Sequence, residues 1–230
     1  MKNVNQYQAL AELFKYPESD APQLVQACQD LLDMHYPEAG SMLKMFSEKY
    51  AELNSDAREE LYTKTFDVQP ICYLDFGYVI FGEDYKRGSF LLHMQQEQRK
   101  INRECSPELP DNMYHMLNLL PVHPDRAFVN ELVAKIVVPG VKIMIREFEG
   151  TKVQLKIKVL KKLHNTLIQE ELNIGNIYQF AFFALLKVLE SDFVQAIEQY
   201  NPEEENLASQ AFFEKKNNSK NQLVNNFQTN

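Results

Sequence analysis

Histidine is the side chain best suited to proton transfer and metal ligation near neutral pH. The sequence holds five, at His35, His93, His115, His123 and His164. No two stand three or four residues apart, the spacing that would set two ligands on one helix face. Cys28, Cys72 and Cys105 are equally dispersed, and no Cys-x-x-Cys pair exists to bind zinc or to cycle as a dithiol. Glu83 and Asp84 are adjacent carboxylates and could in principle work as paired acids. They lie, however, in the run from Gly82 to Gly88, which reads as a charged, solvated turn with nothing to raise a carboxyl pKa. That turn is no phosphate cradle either, and the chain contains no GxSxG, HExxH, Walker-type or GxGxxG motif. The expectation is a protein with no catalytic residue, no metal ligand and no cofactor of its own.

A different chemistry is better represented. Tyr62, Phe66, Tyr73, Phe76, Tyr78, Phe81, Phe90 and Met94 fall within one short stretch, more large side chains than two helices need for packing on each other. Aromatic rings and methionine suit a groove that grips the apolar side of a peptide helix. They suit a core equally well, and the sequence leaves both readings open. Asp111 stands where it could cap the following helix. Arg87 could bond backbone carbonyls of its turn or touch a partner. The lysines at 152, 156, 158, 161 and 162 make a basic helix face, which in most proteins is simply solvated.

The elements that would position these residues are helices. Apolar residues recur three or four apart, as at Tyr7, Leu10, Leu13 and Phe14 in a first helix over about 4–15. Tyr16-Pro17 stops it, because a residue before proline avoids helical backbone. A second helix follows Asp20, with Pro22 in its first turn and a stripe of Leu24, Val25, Cys28, Leu31 and Leu32. A third runs to about Leu53 and is expected to bury Met42, Leu43, Phe46 and Tyr50. Asp56 to Glu59 reads as a capping box opening the fourth, which carries Leu61, Tyr62 and Phe66 until Pro70 breaks it. An aromatic helix is expected over 71–81, and another from Gly88 to about Asn102. Ser106 to Asp111 is a loop with two prolines. Helices bearing Tyr114, Leu117 and Leu120, then Phe128, Leu132 and Ile136, follow, with a kink or short loop at Pro139-Gly140. Residues 141–148 have strand-like β-branched content, but helical neighbours argue for helix. Helices over 152–172 and 177–200 complete a domain spanning 1–200, and the Glu-, Asn- and Lys-rich residues 201–230 read as a mobile tail.

Composition narrows the class. Seven glycines in 230 residues, with abundant Leu, Glu, Lys, Gln and Ala, favour an all-α, single-domain multi-helix bundle. A net charge of -8 excludes nucleic acid as the main partner, since neutralising phosphates takes clustered lysine and arginine. The N-terminus leads into an amphipathic pattern instead of an apolar signal core. The densest apolar run, Phe180 to Leu186, is too short to span a bilayer. Sparse, odd-numbered cysteines fit a reducing compartment. The sequence therefore reads as cytoplasmic, with no transmembrane segment.

Residues 61–111 carry a resemblance. Glu60-Leu61-Tyr62-Thr63-Lys64-Thr65-Phe66-Asp67 precedes the aromatic segment. Phe81-Gly82-Glu83-Asp84, Arg87-Gly88 and then Glu108-Leu109-Pro110-Asp111 follow in order. Together with Leu13-Phe14-Lys15-Tyr16-Pro17, this order resembles the delta-subunit family of respiratory nitrate reductases, a branch of the cytoplasmic assembly chaperones for molybdenum oxidoreductases. The match covers about 8–170. It departs from the family pattern at Asn112-Met113 and finds no counterpart beyond about 200. The resemblance implies an all-helical chaperone that binds the N-terminal segment of an immature molybdoenzyme catalytic subunit, of nitrate reductase or nitrite oxidoreductase type. It further implies support for molybdenum cofactor insertion before membrane assembly, with molybdenum cofactor biosynthesis proteins as further partners. It places Glu108 and Asp111 at the family's acidic loop, facing a basic or amide group of the bound segment. The alternative reading is a non-catalytic structural subunit or scaffold of a respiratory complex.

Overall fold

The computed structural model describes residues 5–160 and 176–200, with the side chains of 151–160 excepted. The described chain is all-helical. The N-terminal helices are α1 (Gln6–Glu12), α2 (Ala21–His35), α3 (Pro37–Glu52) and α4 (Ser55–Phe66). Next come α5 (Phe76–Phe81), α6 (Tyr85–Lys100), α7 (Met113–Leu119) and α8 (Arg126–Leu132). A π-helical turn, Val133–Val137, leads into α9 (Val138–Leu160), and α10 (Tyr178–Asp192) and α11 (Val194–Glu198) close the described chain. Residues 141–148 are helical, as their neighbours required.

The core is organised on α10, which packs against α3 and α9. Its Tyr178 and Phe182 are buried among rings from three other helices and the chain just beyond a fourth. Phe66 and Phe46 lie 4.7 and 5.1 Å from Tyr178, and Phe14 and Phe148 lie 4.7 and 5.5 Å from Phe182. The stripes of the N-terminal helices face this centre: Tyr7 and Leu10 from α1, Val25, Cys28 and Leu32 from α2, Leu43 and Phe46 from α3. Met42 does not follow them. It is exposed, one position off the buried face. Asp192, at the end of α10, ties that helix to α1 and to Tyr36 between α2 and α3. It accepts hydrogen bonds from the Tyr7 hydroxyl at 2.6 Å, the Tyr36 hydroxyl at 2.9 Å and the Gln6 amide at 2.9 Å.

Several boundaries differ from the sequence expectation, each for a local reason. Asn54, not Asp56, caps α4, its side chain accepting the Ala57 N–H at 2.9 Å. Asn and Asp are equally good at this position, and Asn54 comes first. The run from Glu83 to Arg87 is not a free turn. Asp84 caps α6, so the helix begins at Tyr85 and Gly88 lies inside it. Asp111 does not cap α7, because Asn112 does, accepting the Tyr114 N–H at 3.0 Å. No loop forms at Pro139-Gly140. Proline lacks an N–H and its ring strikes the carbonyl one turn back. The π turn relieves this by widening the preceding turn, with the Val138 N–H reaching back to Val133. The last part of the sequence-read helix 152–172 and the tail 201–230 lie outside the described residues.

The largest departure is at 71–81. Only Phe76–Phe81 is helical. Residues 71–75 are irregular, with bends at 71, 72 and 74, and burial varies along them: Cys72, Leu74 and Phe76 are buried, Tyr73 is exposed and Asp75 half-buried. Asp75 has extended backbone, in a single antiparallel bridge with Asn112. The segment finds a partner in the loop before α7. Phe76 N–H donates to Asp111 C=O at 3.0 Å, and Met113 N–H donates to Leu74 C=O at 2.9 Å.

Candidate functional site

The irregular segment 71–75 and the short helix after it divide the aromatic cluster into two sets. Phe66, Phe76, Phe90 and Met94 are core, the last three with no exposed surface. They hold α4, α5 and α6 in place and cannot meet a partner without unfolding. Phe81 is half-buried with its ring 5.6 Å from Phe90. The four core residues are corrected from groove candidates to the groove's support, whereas Phe81, half-buried like Tyr62 and Tyr78, stays a candidate. Phe76 shows how tightly that support is built. A Cβ on Gly140 would lie 2.6 Å from its Cδ1, so only glycine lets α9 approach α5 this closely.

Tyr62, Tyr73 and Tyr78 belong to the second set. Tyr73 is 43% exposed, and its ring centroid stands 4.2 Å from that of Tyr78. Arg87 lies on the other partner of this pair, its guanidinium carbon 5.1 Å from the Tyr78 ring centre. Its Nη2 is 3.6 Å from Asp75 Oδ2. Asp75 is fixed on its other oxygen by the Asn112 amide at 3.2 Å. A cation over an exposed ring and a loose, partly exposed ion pair each contribute no more than about 1 kcal/mol.

Tyr62 continues the surface toward α1. Its hydroxyl donates to the Phe14 carbonyl at 3.3 Å, and its ring packs edge-on to Tyr16 at 5.4 Å. Burial raises the Tyr62 phenol above its ordinary value, and the carboxylates of Glu108, Asp67 and Asp75 raise it further. Tyr16, half-exposed, donates to Glu59 at 2.9 Å. The result is two tyrosine pairs, Tyr16–Tyr62 and Tyr73–Tyr78, with Glu59 bonded to Tyr16 and the carboxylates of Glu108, Asp67 and Asp75 near Tyr62.

Asp111 lies beside Gly77 and is fully buried. Its Oδ2 accepts the Gly77 N–H at 2.9 Å, at the start of α5. Its Oδ1 has no partner. Burial pushes the Asp111 carboxyl up to about 6, and nearby Asp75 adds to this against the opposing Gly77 N–H and Arg87 charge. Glu108, its companion in the acidic loop, is exposed. The two are therefore separated in role: Glu108 can meet a partner, whereas Asp111, buried, acts through α5.

No family model and no curated protein matches this chain. What the site can do is therefore argued from its own geometry. Sequence reasoning missed Asp75, Glu59 and Asp67, and treated Tyr16 only as a helix stop. Their convergence is tertiary, and only the Tyr16-Pro17 step was visible. It also missed a buried network in which Glu97 meets His93 at 2.9 Å, Lys100 at 2.6 Å and His123 at 3.2 Å. The four-residue step from His93 to Glu97 was the available signal. Among the described residues, no three His, Cys, Asp or Glu side chains stand where they could hold a metal ion. Among them, too, no helix is long and apolar enough to cross a membrane.

Proposed function

We propose that this protein is a cytoplasmic assembly chaperone. It binds the N-terminal segment of an immature molybdoenzyme catalytic subunit, of nitrate reductase or nitrite oxidoreductase type, and supports cofactor insertion before membrane assembly. The observation that carries the binding role is the two tyrosine pairs, Tyr16–Tyr62 and Tyr73–Tyr78, with carboxylates beside them. Four amphipathic rings on a rigid helical base offer contact area at low entropic cost, and the carboxylates select a segment carrying lysine or arginine. The assignment to molybdoenzymes rests on the resemblance at 61–111 and on the all-helical fold, with which it agrees.

Titration calorimetry with a synthetic N-terminal peptide of the catalytic subunit tests this. The expected affinity is about micromolar, near 8 kcal/mol. Absence of heat with a correctly folded protein would overturn the proposal. Copurification at fixed stoichiometry with the mature, cofactor-loaded enzyme would instead favour a structural subunit.

A further inference from the structure

Arg87 is held by less than its chemistry offers. Its contact with Asp75, at 3.6 Å, is too long for a good hydrogen bond. Its Nε is buried and has no partner, and neither has Oδ1 of the fully buried Asp111. Buried polar atoms are nearly always paired, and each exception asks for a reason. The two side chains meet at Gly77: a Cβ built there would lie 2.5 Å from Asp111 Oδ2 and 3.4 Å from Arg87 Cγ. The stem of Arg87 is therefore anchored beside Asp111, while its guanidinium, with Nε buried, lies over Tyr78 with Nη2 toward Asp75.

We propose that Arg87 is an internal placeholder: its guanidinium loosely fills the position over Tyr78 and beside Asp75 where an arginine or lysine of the bound segment docks, and when displaced it turns inward to Asp111. The position has what a cation needs, a ring face and a carboxylate. Asp75 is already oriented by the Asn112 amide, so it can receive an incoming cation without moving. Displacement strands no charge, because Asp111 Oδ1 is an acceptor within the same packing unit. The inference rests on reading the Tyr73–Tyr78 face as the docking surface and adds the chemical class of group it takes.

The test uses the full chain and a probe independent of any client. N-acetylarginine amide is titrated into the wild type and into Arg87→Met, which keeps the stem, and the Gly77 and Tyr78 amide signals are followed by NMR. N-acetylglutamine amide serves as the neutral control. Arg87→Met is expected to bind the arginine probe about tenfold more tightly than the wild type, and Asp75→Asn added to it should abolish the gain. A cooperative thermal melt checks that each variant folds. Equal responses to both probes, or weaker binding of the arginine probe by Arg87→Met, would overturn the placeholder. If a catalytic-subunit peptide binds while the probe shows no such selectivity, the chaperone reading survives and the placeholder falls. If the probe result holds and no such peptide binds, the placeholder stands and the chaperone reading falls.

Discussion

The Asp111 carboxylate caps a helix to which it does not belong, accepting the Gly77 N–H at 2.9 Å while Asn112 caps the helix that follows it in sequence. The pair couples the loop before α7 to the start of α5. It also holds an acid in a place that disfavours its charge. The Asp111 carboxyl is raised from 3.8 to about 6, so the folded state binds its proton more tightly than the unfolded state does. Its contribution to stability is complete below about pH 4 and is lost as the pH rises through about 6. The shift corresponds to roughly 3 kcal/mol at neutral pH. Asp111→Asn keeps an acceptor for Gly77 and cannot ionise. It should therefore be more stable than the wild type at pH 7.5, by about 1–3 kcal/mol. Urea unfolding at pH 7.5 and pH 4 checks this, and the advantage should vanish at the lower pH.

Gly140 and Phe76 should behave as one unit. A Cβ at position 140 meets the Phe76 ring at 2.6 and 2.9 Å, and Phe76 has no free surface into which to retreat. Gly140→Ala should cost about 2 kcal/mol by overpacking, although alanine favours helix over glycine. Phe76→Leu alone leaves a cavity. In the double variant the smaller side chain admits the new methyl group, so the two costs should fall short of their sum by about 1 kcal/mol or more. Additive melting shifts would show that the contact is not rigid.

The helices with local signals were legible in the sequence. Val25, Cys28 and Leu32, or Leu43, Phe46 and Tyr50, repeat at helical spacing and are buried as that spacing demands. What escaped was decided at a distance. Tyr73 and Phe76 are three residues apart, both aromatic, and on a helix they would share a face. The loop at 109–113 bonds the backbone of Leu74 and Phe76 and keeps 71–75 out of the helix, so Tyr73 is exposed while Phe76 is buried. Asp111 was visible as an acid before a helix, but which N–H it would serve depended on α5 arriving beside it. The four tyrosines come from the segment after α1, from α4, from α5 and from the chain between the last two, so no short window of sequence contains them.

His115 should oppose Asp111 in the pH profile. It is buried, neither ring nitrogen has a partner, and burial followed by the positive charge of Arg103 holds its pKa below 6.5. A lowered histidine supports the fold above the unfolded value, and that support is lost as the pH falls from about 6.5 through the folded value. His115→Leu removes two unpaired nitrogens at little change in volume. At pH 5.5 it should exceed the wild type in stability by about 1 kcal/mol or more, with a smaller difference at pH 8. Denaturant midpoints at the two pH values supply the measurement. A variant less stable than the wild type at both would mean that His115 contributes packing which leucine does not replace.

The division of the aromatic cluster predicts a division of phenotypes. Phe76→Ala and Phe90→Ala empty fully buried sites and should each cost about 3–5 kcal/mol of stability. Tyr73→Ala removes a ring that is 43% exposed, so its effect on stability should stay within about 1 kcal/mol. Its effect on binding should be larger, because a surface aromatic that anchors a partner contributes there and not to folding. A loss of about tenfold in affinity for the catalytic-subunit peptide is expected for Tyr73→Ala. Tyr78→Ala should lose as much, since it removes the platform shared by Tyr73 and Arg87. Lys44→Ala, on the exposed face of α3, should leave affinity unchanged. Calorimetric titration beside thermal melts separates the two classes. Tyr73→Ala and Lys44→Ala binding alike, with unchanged melts, would remove the Tyr73–Tyr78 pair from the interface. It would turn attention to the carboxylates that border it.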